Sequence, residues 1–355
     1  MRAVLYREYG AEPRLEDLQP PPCPDDGVVI DVRATGVCRS DWHAWRGHDP
    51  VTLPHVPGHE FAGVVSQVGE RVTRWHAGDR VTAPFVCGCG RCELCAAGEA
   101  QVCPHQTQPG FTGPGSFAEQ VAVHAADLNL VRLPDAVDYI TAASLGCRFA
   151  TAYRALTAHG RVAAGGWLAV HGCGGVGLSA VVIGAALGAR VVAVDIAETA
   201  RDRAGELGAE CVIDPAAHPD VAQRIRDLTG GGAHVSLDAL GSTATAVASV
   251  ECLRRRGRHV QVGLLLGADS TPPLPMDLVV ARELEIYGSH GMAAREYPPM
   301  LALIEHGTLR PGDLVGDVIA LEDAGRALSA LDHPRLRAGM TVVRVRVAPL
   351  EGPEA

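Results

Sequence analysis

The sequence predicts an α/β protein of two domains, a mostly β domain followed by a doubly wound parallel sheet. Length is the first reason: 355 residues, 47% of them apolar, suffice for two cores. The second is a change of rhythm near Trp167, where short alternating strands give way to repeated strand–helix units. The third is a glycine-rich turn, "GCGGVG" at 172–177, between one such strand and its helix.

The N-terminal part reads as a series of strands. "GVVIDVRATGVC", "FAGVVSQVGERV", "DRVTAPFV" and "SFAEQVAVHAADLNLV" set apolar, β-branched runs between Gly- and Asp-rich turns. This domain is expected over residues 1–148, with a cysteine-rich lobe at 87–103, "CGCGRCELCAAGEAQVC". Four of its cysteines, Cys89, Cys92, Cys95 and Cys103, are spaced C-x2-C-x2-C-x7-C. Four thiolates on short spacers suit a tetrahedral zinc ion and leave no position open for water, so the lobe is expected to brace the fold. Cys87 is surplus to that set and is expected in the neighbouring core.

Beyond Trp167, "WLAVHG" reads as a buried strand, "LSAVVIGAALGA" as a helix and "RVVAVD" as the next strand, ending at Asp195. In that context each glycine has a task. Gly172 permits the tight turn, Gly174 lets backbone approach a pyrophosphate, and Gly177 lets the helix pack closely on its strand. Gly175 and Val176 complete a helix N-terminus whose free amides face phosphate charge. Asp195 can accept the ribose hydroxyls of NAD and would repel a 2′-phosphate; Arg201 and Arg203 lie nearby without replacing it, so NAD is expected. "AECVIDP", "AHVSLDALG", "RHVQVGLL" and "ELEIYGSH" read as further strands, and "DVAQRIRDLT" and "TAVASVECLRRRG" as helices. This Rossmann unit is expected over 149–288. Residues 289–355 hold two helical stretches, "YPPMLALIEHG" and "LEDAGRALSAL", and a last strand, "AGMTVVRVRV", expected to return to the first domain.

Composition narrows the function. A net charge of −10 opposes a broad nucleic-acid footprint. The apolar run at 167–195 is divided by its glycines, His171 and Arg190, so no membrane span is expected there. "MRAVLYREYGAEPRL" lacks the apolar stretch of a signal peptide, and clustered cysteines fit metal binding in a reducing compartment, so cytoplasm is the expected location. Cys38, His59 and Cys147 stand apart from one another. Taken singly they read equally well as core thiols and a buried ring; brought together, a Cys2His set would leave a fourth zinc position open.

"CRSDWHAW", "PGHEFAGVVSQVG", "CGRCELCAAGEAQVC", "GSFAEQV", "GCRFATAYRAL" and "GCGGVG…VVAVD", in this order, resemble the zinc-dependent medium-chain alcohol dehydrogenases over essentially the whole chain. The resemblance implies a GroES-like catalytic domain, two zinc ions per chain, and hydride transfer between NAD and a small alcohol, aldehyde or ketone. It implies that Cys38, His59 and Cys147 bind the catalytic zinc, with Glu60 beside it and able to replace water transiently. Cys89, Cys92, Cys95 and Cys103 correspond to the structural-zinc set. Ser40 would bond the alcohol oxygen, His43 would relay its proton outward through the cofactor ribose, and Asp41 would orient His59. Thr151 would lie near the nicotinamide, and Arg39 would touch a cofactor phosphate. Trp42, Trp45 and Phe85 are expected to line the cleft, with ordinary core as the alternative for each. Aromatic walls favour a primary or aromatic alcohol over a highly hydroxylated sugar, His48 and Cys87 alter that balance, and a polyol or secondary alcohol is the alternative substrate. Arg148 stands where many relatives carry glycine, and is expected to touch the cofactor or a neighbouring loop. The short run between Cys103 and Gly115 implies a homotetramer, with a dimer as the second choice.

Overall fold

The computed structural model describes residues 1–333 and 339–345. A small hairpin, β1 (Arg2–Leu5) and β2 (Arg14–Asp17), leads into a seven-stranded sheet. That sheet contains β3 (Val28–Val37), β4 (Phe61–Val68), β5 (Arg80–Thr82), β6 (Gln120–Val123) and β7 (Val131–Arg132). β3 is its hub, pairing antiparallel with β4 and with β6. Its burial is nearly continuous because both faces are covered, which suits its run of Val, Ile and Ala. The extended run read at 116–131 is broken after β6 by a helical turn, Ala126–Asn129, in which Asn129 bonds back to Gly88 and so closes the cysteine-rich lobe.

The second sheet is wholly parallel: β8 (Trp167–His171), β9 (Arg190–Val194), β10 (Cys211–Ile213), β11 (Ala233–Asp238), β12 (Leu253–Gln261) and β13 (Glu285–Gly288). Their spatial order is β10-β9-β8-β11-β12-β13, with the order reversing between β8 and β11. A crevice at that reversal is where doubly wound sheets take nucleotides, beyond the carboxyl ends of the strands. One expectation fails here. "TAVASVECLRRRG" is helical only as far as Glu251, within the helix Thr243–Glu251; from Leu253 it pairs in parallel with β11, because the strand's ladder outweighs the helix propensity of the arginines.

The chain then returns to the first sheet. β14 (Val315–Ala320) and β15 (Met340–Arg344) add to it, β15 lying antiparallel to β3 with Thr341 opposite Val37. The strand read at 338–347 is thus observed over Met340–Arg344; its positions 338, 346 and 347, like the rest of 346–355, lie outside the described residues. Among the described residues no helix is long and apolar enough to cross a membrane.

Candidate active site

β3 ends at Val37, and Cys38 caps the short helix Arg39–Trp45. The Asp41 carboxylate, fully buried, accepts the Cys38 backbone N–H at 3.1 Å, that of Gly58 at 2.9 Å and the Nδ1–H of His59 at 2.9 Å. This bonding fixes the His59 tautomer and leaves Nε2 as the free lone pair. Nε2 is itself buried and has no hydrogen-bond partner.

Cys147 arrives from far along the chain. It sits in a π-helical turn, Leu145–Phe149, which continues into the helix Ala150–Arg154. Such turns widen a helix and redirect a side chain, which suits a ligand position. Ligand atoms of Cys38, His59, Glu60 and Cys147 lie within 4.8 Å of one another. The orphaned Nε2 and the two facing thiols make this donor set fit a zinc ion. Electrostatics support the same reading. The Cys38 thiol is pulled well below its ordinary range, first by a hydrogen bond with Cys147 and, against burial, by Arg148 and His59. Cys147 is pushed up in turn by Cys38 and by burial. A cation is the group that lets both thiols ionise together.

Glu60 is buried, and burial raises its pKa while Arg148 opposes the shift. Its carboxylate accepts the backbone N–H of Cys147 and of Arg148, each at 3.2 Å, and Arg148 Nε–H at 2.9 Å; Arg148 Nη2 closes the second arm. Arg148 therefore meets a neighbouring loop, the one that carries His59 and Glu60.

The remaining predicted residues differ in their settings. Ser40 Oγ lies 3.8 Å from Cys38 Sγ, beside the metal cluster, and the Thr151 hydroxyl is buried without a partner. His43 is half-buried; its pKa is lowered by burial, then by His48 and Arg39. His43 Nδ1 lies 3.2 Å from His48 Nδ1, so His48 belongs to the His43 side of the site. Arg39 reaches the Leu331 carbonyl and lies over the Trp42 ring, whose N–H is donated to Asp332. Phe85 is placed 6.1 Å from the His59 ring. Trp45 is a correction: it is 3% exposed in the first-domain core and donates its N–H to Ala11 O. One turn along the helix from Trp42, it is held inward by packing, its indole body filling core space.

Two aromatic neighbours escaped the sequence. Phe111 lies 5.1 Å from the His59 ring, and His290 lies 5.3 Å from Phe85. Phe111 comes from a loop and His290 from beyond β13; neither carries a local motif.

The dinucleotide end is built as the motif requires. Gly172 has φ +89°, and a Cβ on Gly177 would overlap the Gly172 carbonyl. A Cβ on Gly174 would meet nothing within 4 Å, so backbone there is open to a ligand. Gly175 and Val176 begin the helix Gly175–Ala186. Asp195 accepts the Cys173 N–H at 2.7 Å and the Ala197 N–H at 2.8 Å, which sets one carboxylate across the glycine turn with lone pairs to spare. Arg201 is occupied with the backbone carbonyls of Asp195 and Ile196 and with Asp214, while Arg203 pairs with Glu206.

The lobe holds the second cluster, Cys89, Cys92, Cys95 and Cys103, also within 4.8 Å. Backbone N–H groups of Cys89 and His105 point at Cys103 Sγ, at 3.4 and 3.3 Å, and Cys95 N–H points at Cys92 Sγ, at 3.4 Å. Four gathered sulfurs with backbone N–H groups aimed at them suit a closed zinc site. Cys87 stays out of this set: it is fully buried in the first-domain core, and burial pushes its thiol up to about 12.

Residues 24–135 match the family described as alcohol dehydrogenase GroES-like domain, and residues 175–306 that described as zinc-binding dehydrogenase. An alcohol dehydrogenase of Geobacillus stearothermophilus is 35% identical over 81% of this chain and 84% of its own length. A sorbitol dehydrogenase of Halalkalibacterium halodurans is 30% identical over 93% of this chain and 96% of its own length. Among solved structures, the alcohol dehydrogenase TADH from Thermus sp. ATN1 superimposes with a TM-score of 0.90 at 30% identity, over 98% of this chain and 100% of that one.

Proposed function

Because the chain belongs to the zinc-binding medium-chain alcohol dehydrogenases, we propose that its substrates are primary or aromatic alcohols and the corresponding aldehydes. The enzyme is NAD- and zinc-dependent, with one metal site of Cys38, His59, Cys147 and Glu60 and one of four cysteines. When bound, the two groups at the active site supply Lewis acidity toward the substrate oxygen and a nicotinamide hydride couple.

The chain's own residues do the rest. Ser40, beside Cys38, holds the proton of the alcohol oxygen. His43, half-buried on the same helix, would take that proton onward and pass it to His48, 3.2 Å away and exposed. Asp41 holds His59 in the ligating tautomer. Thr151 offers its unpartnered hydroxyl to the nicotinamide side. Gly172, Gly174, Gly175, Val176 and Gly177 cradle the pyrophosphate, Arg39 lends positive charge at its approach, and Asp195 takes the ribose diol.

The observation that carries the substrate class is the aromatic lining at the metal cluster, Phe85 and Phe111 both beside the His59 ring, with Trp42 on the helix that bears Ser40. A flat apolar wall favours an aromatic ring or short alkyl chain over a hydroxylated one. The 30% identity to a sorbitol dehydrogenase supports a second reading, a polyol or secondary alcohol handled by the same machinery. NADH formation over benzyl alcohol, linear primary alcohols, secondary alcohols and sorbitol separates the two. The first reading requires the highest kcat/KM on benzyl or linear alcohols; a maximum on sorbitol replaces it with the second.

Two broader assignments belong to the same reading. A homotetramer is favoured over a dimer, with Leu264, Leu266, Met276, Val280 and Ile286 exposed around the free edge strand β13 as support for association; sedimentation distinguishes the states. A cytoplasmic location suits eleven free cysteines, six of which belong to the two metal clusters and are needed there as thiolates.

A further inference from the structure

The sequence singled out Arg148 as a departure, and the reaction as described gives it no task. Its position is unusual: an arginine, nearly fully buried, next in the chain to the ligand Cys147 and locked onto Glu60 through Nε and Nη2. The space for this pair is made by glycines. A Cβ on Gly36 of β3 would overlap Glu60 Oε2 and crowd the Arg148 guanidinium. A Cβ on Gly175 would overlap Arg148 Cδ. Gly175 opens the helix that receives the cofactor phosphates, so the aliphatic stem of Arg148 rests on the dinucleotide turn while its head holds a metal-site carboxylate.

Charge shows what the head must do. Two thiolates and the Glu60 carboxylate bring three negative charges into a buried cluster, of which a divalent cation answers two. The guanidinium answers the third, in the planar two-armed geometry that lysine does not reproduce. Without it, the carboxylate oxygen, already within 4.8 Å of the other ligand atoms, has the cation as its one remaining positive partner among these groups.

We propose that Arg148 is a positioning residue that withholds Glu60 from the open ligand position of the metal site, and that its stem ties this restraint to the dinucleotide turn at Gly175. The proposal rests on the assignment of a metal to the Cys2His cluster and of a dinucleotide to the glycine turn. It adds a link between them: displacement of the turn at Gly175 shifts the Arg148 stem, and the carboxylate moves with the head.

The test uses the full chain loaded with cobalt(II), without cofactor, titrated with imidazole as a probe of the open position and followed by visible d–d absorption. The four-cysteine site contributes equally to every variant and cancels in the differences. Arg148→Gln is expected to weaken imidazole binding at least about tenfold, and Arg148→Lys to fall between it and the parent. Adding Glu60→Gln to Arg148→Gln should restore the affinity, since the competing carboxylate is gone. Gly175→Ala, in a turn that supplies no metal ligand, should weaken imidazole in the Arg148 chain and have no further effect in the Arg148→Gln chain, the mark of coupling through one side chain. Should Arg148→Gln not fold, Gly175→Ala alone against the parent keeps the test. Unchanged imidazole affinity in Arg148→Gln and Gly175→Ala, with two cobalt ions bound, overturns the proposal. Binding of one cobalt ion, at the four-cysteine site alone, overturns instead the metal assignment on which it rests.

Discussion

The two metal clusters use the same element and almost the same thiol chemistry, yet are built in opposite ways. The lobe gathers Cys89, Cys92, Cys95 and Cys103 from one stretch, and its sulfurs are answered by backbone N–H groups of the same stretch. The active-site cluster takes Cys38, His59 and Cys147 from three distant segments, and its support is side-chain chemistry, Asp41 behind His59 and Arg148 behind Glu60. A local, closed set has nothing left to bind a substrate. The dispersed set is held from outside, so one position can be left free and its neighbours tuned.

The sharpest way to break this contrast is to remove one thiol from each cluster. Cys38→Ala should lower kcat/KM by on the order of 10³-fold or more, with NADH binding retained by fluorescence and metal content falling from two ions to one. Activity near the parent level would place the chemistry elsewhere. Cys92→Ala should act on stability: a loss of about 3 kcal/mol, or roughly 4 °C in Tm, with turnover per folded molecule preserved at low temperature. Equal Tm in the two chains would mean the lobe braces nothing.

Smaller effects probe the supports. Asp41→Asn keeps the shape but loses the charge behind His59, and should weaken metal at the active site by about 10–100-fold in chelator competition while sparing the lobe. Asp195→Ala should reduce the preference for NAD over NADP by about tenfold, since the ribose diol loses its acceptor and a 2′-phosphate its repulsion; an unchanged ratio would move that role to other residues. The smallest change concerns pH. Burial, His48 and Arg39 hold the His43 pKa below its ordinary value, so the ring stays neutral, and able to accept a proton, to lower pH. His48→Ala removes one of the lowering influences, and the His43 pKa rises. The acid limb of kcat/KM for alcohol oxidation should therefore move to higher pH; a shift to lower pH, or none, would detach His48 from the relay.

The clusters also differ in how far they could be read before folding. The four-cysteine set was legible because its geometry is set by spacers of two and seven residues, too short to lead elsewhere. Likewise the glycine turn and Asp195 were legible, since strand, turn and helix are contiguous and the physics of a tight turn is local. Cys38, His59 and Cys147 were named through resemblance; their separation leaves chain pattern silent on whether they meet. Trp45 shows the limit from the other side. A hydrophobic side chain one turn from Trp42 reads equally as cleft wall or core, and only the packing of the helix Arg39–Trp45 turned it inward.

By itself, then, the sequence determined what is local: the strand–helix rhythm, the dinucleotide turn and a closed thiolate lobe, because each depends on bonds among residues a few positions apart. Tertiary structure alone decided what depends on long-range closure. It brought β15 back beside β3, set Phe111 against His59, joined His43 to His48, and placed the Arg148 guanidinium on Glu60 with its stem against Gly175. Those contacts are fixed by burial of segments far apart in the chain, where an ion pair or a ring has a definite partner only once the surrounding core excludes water.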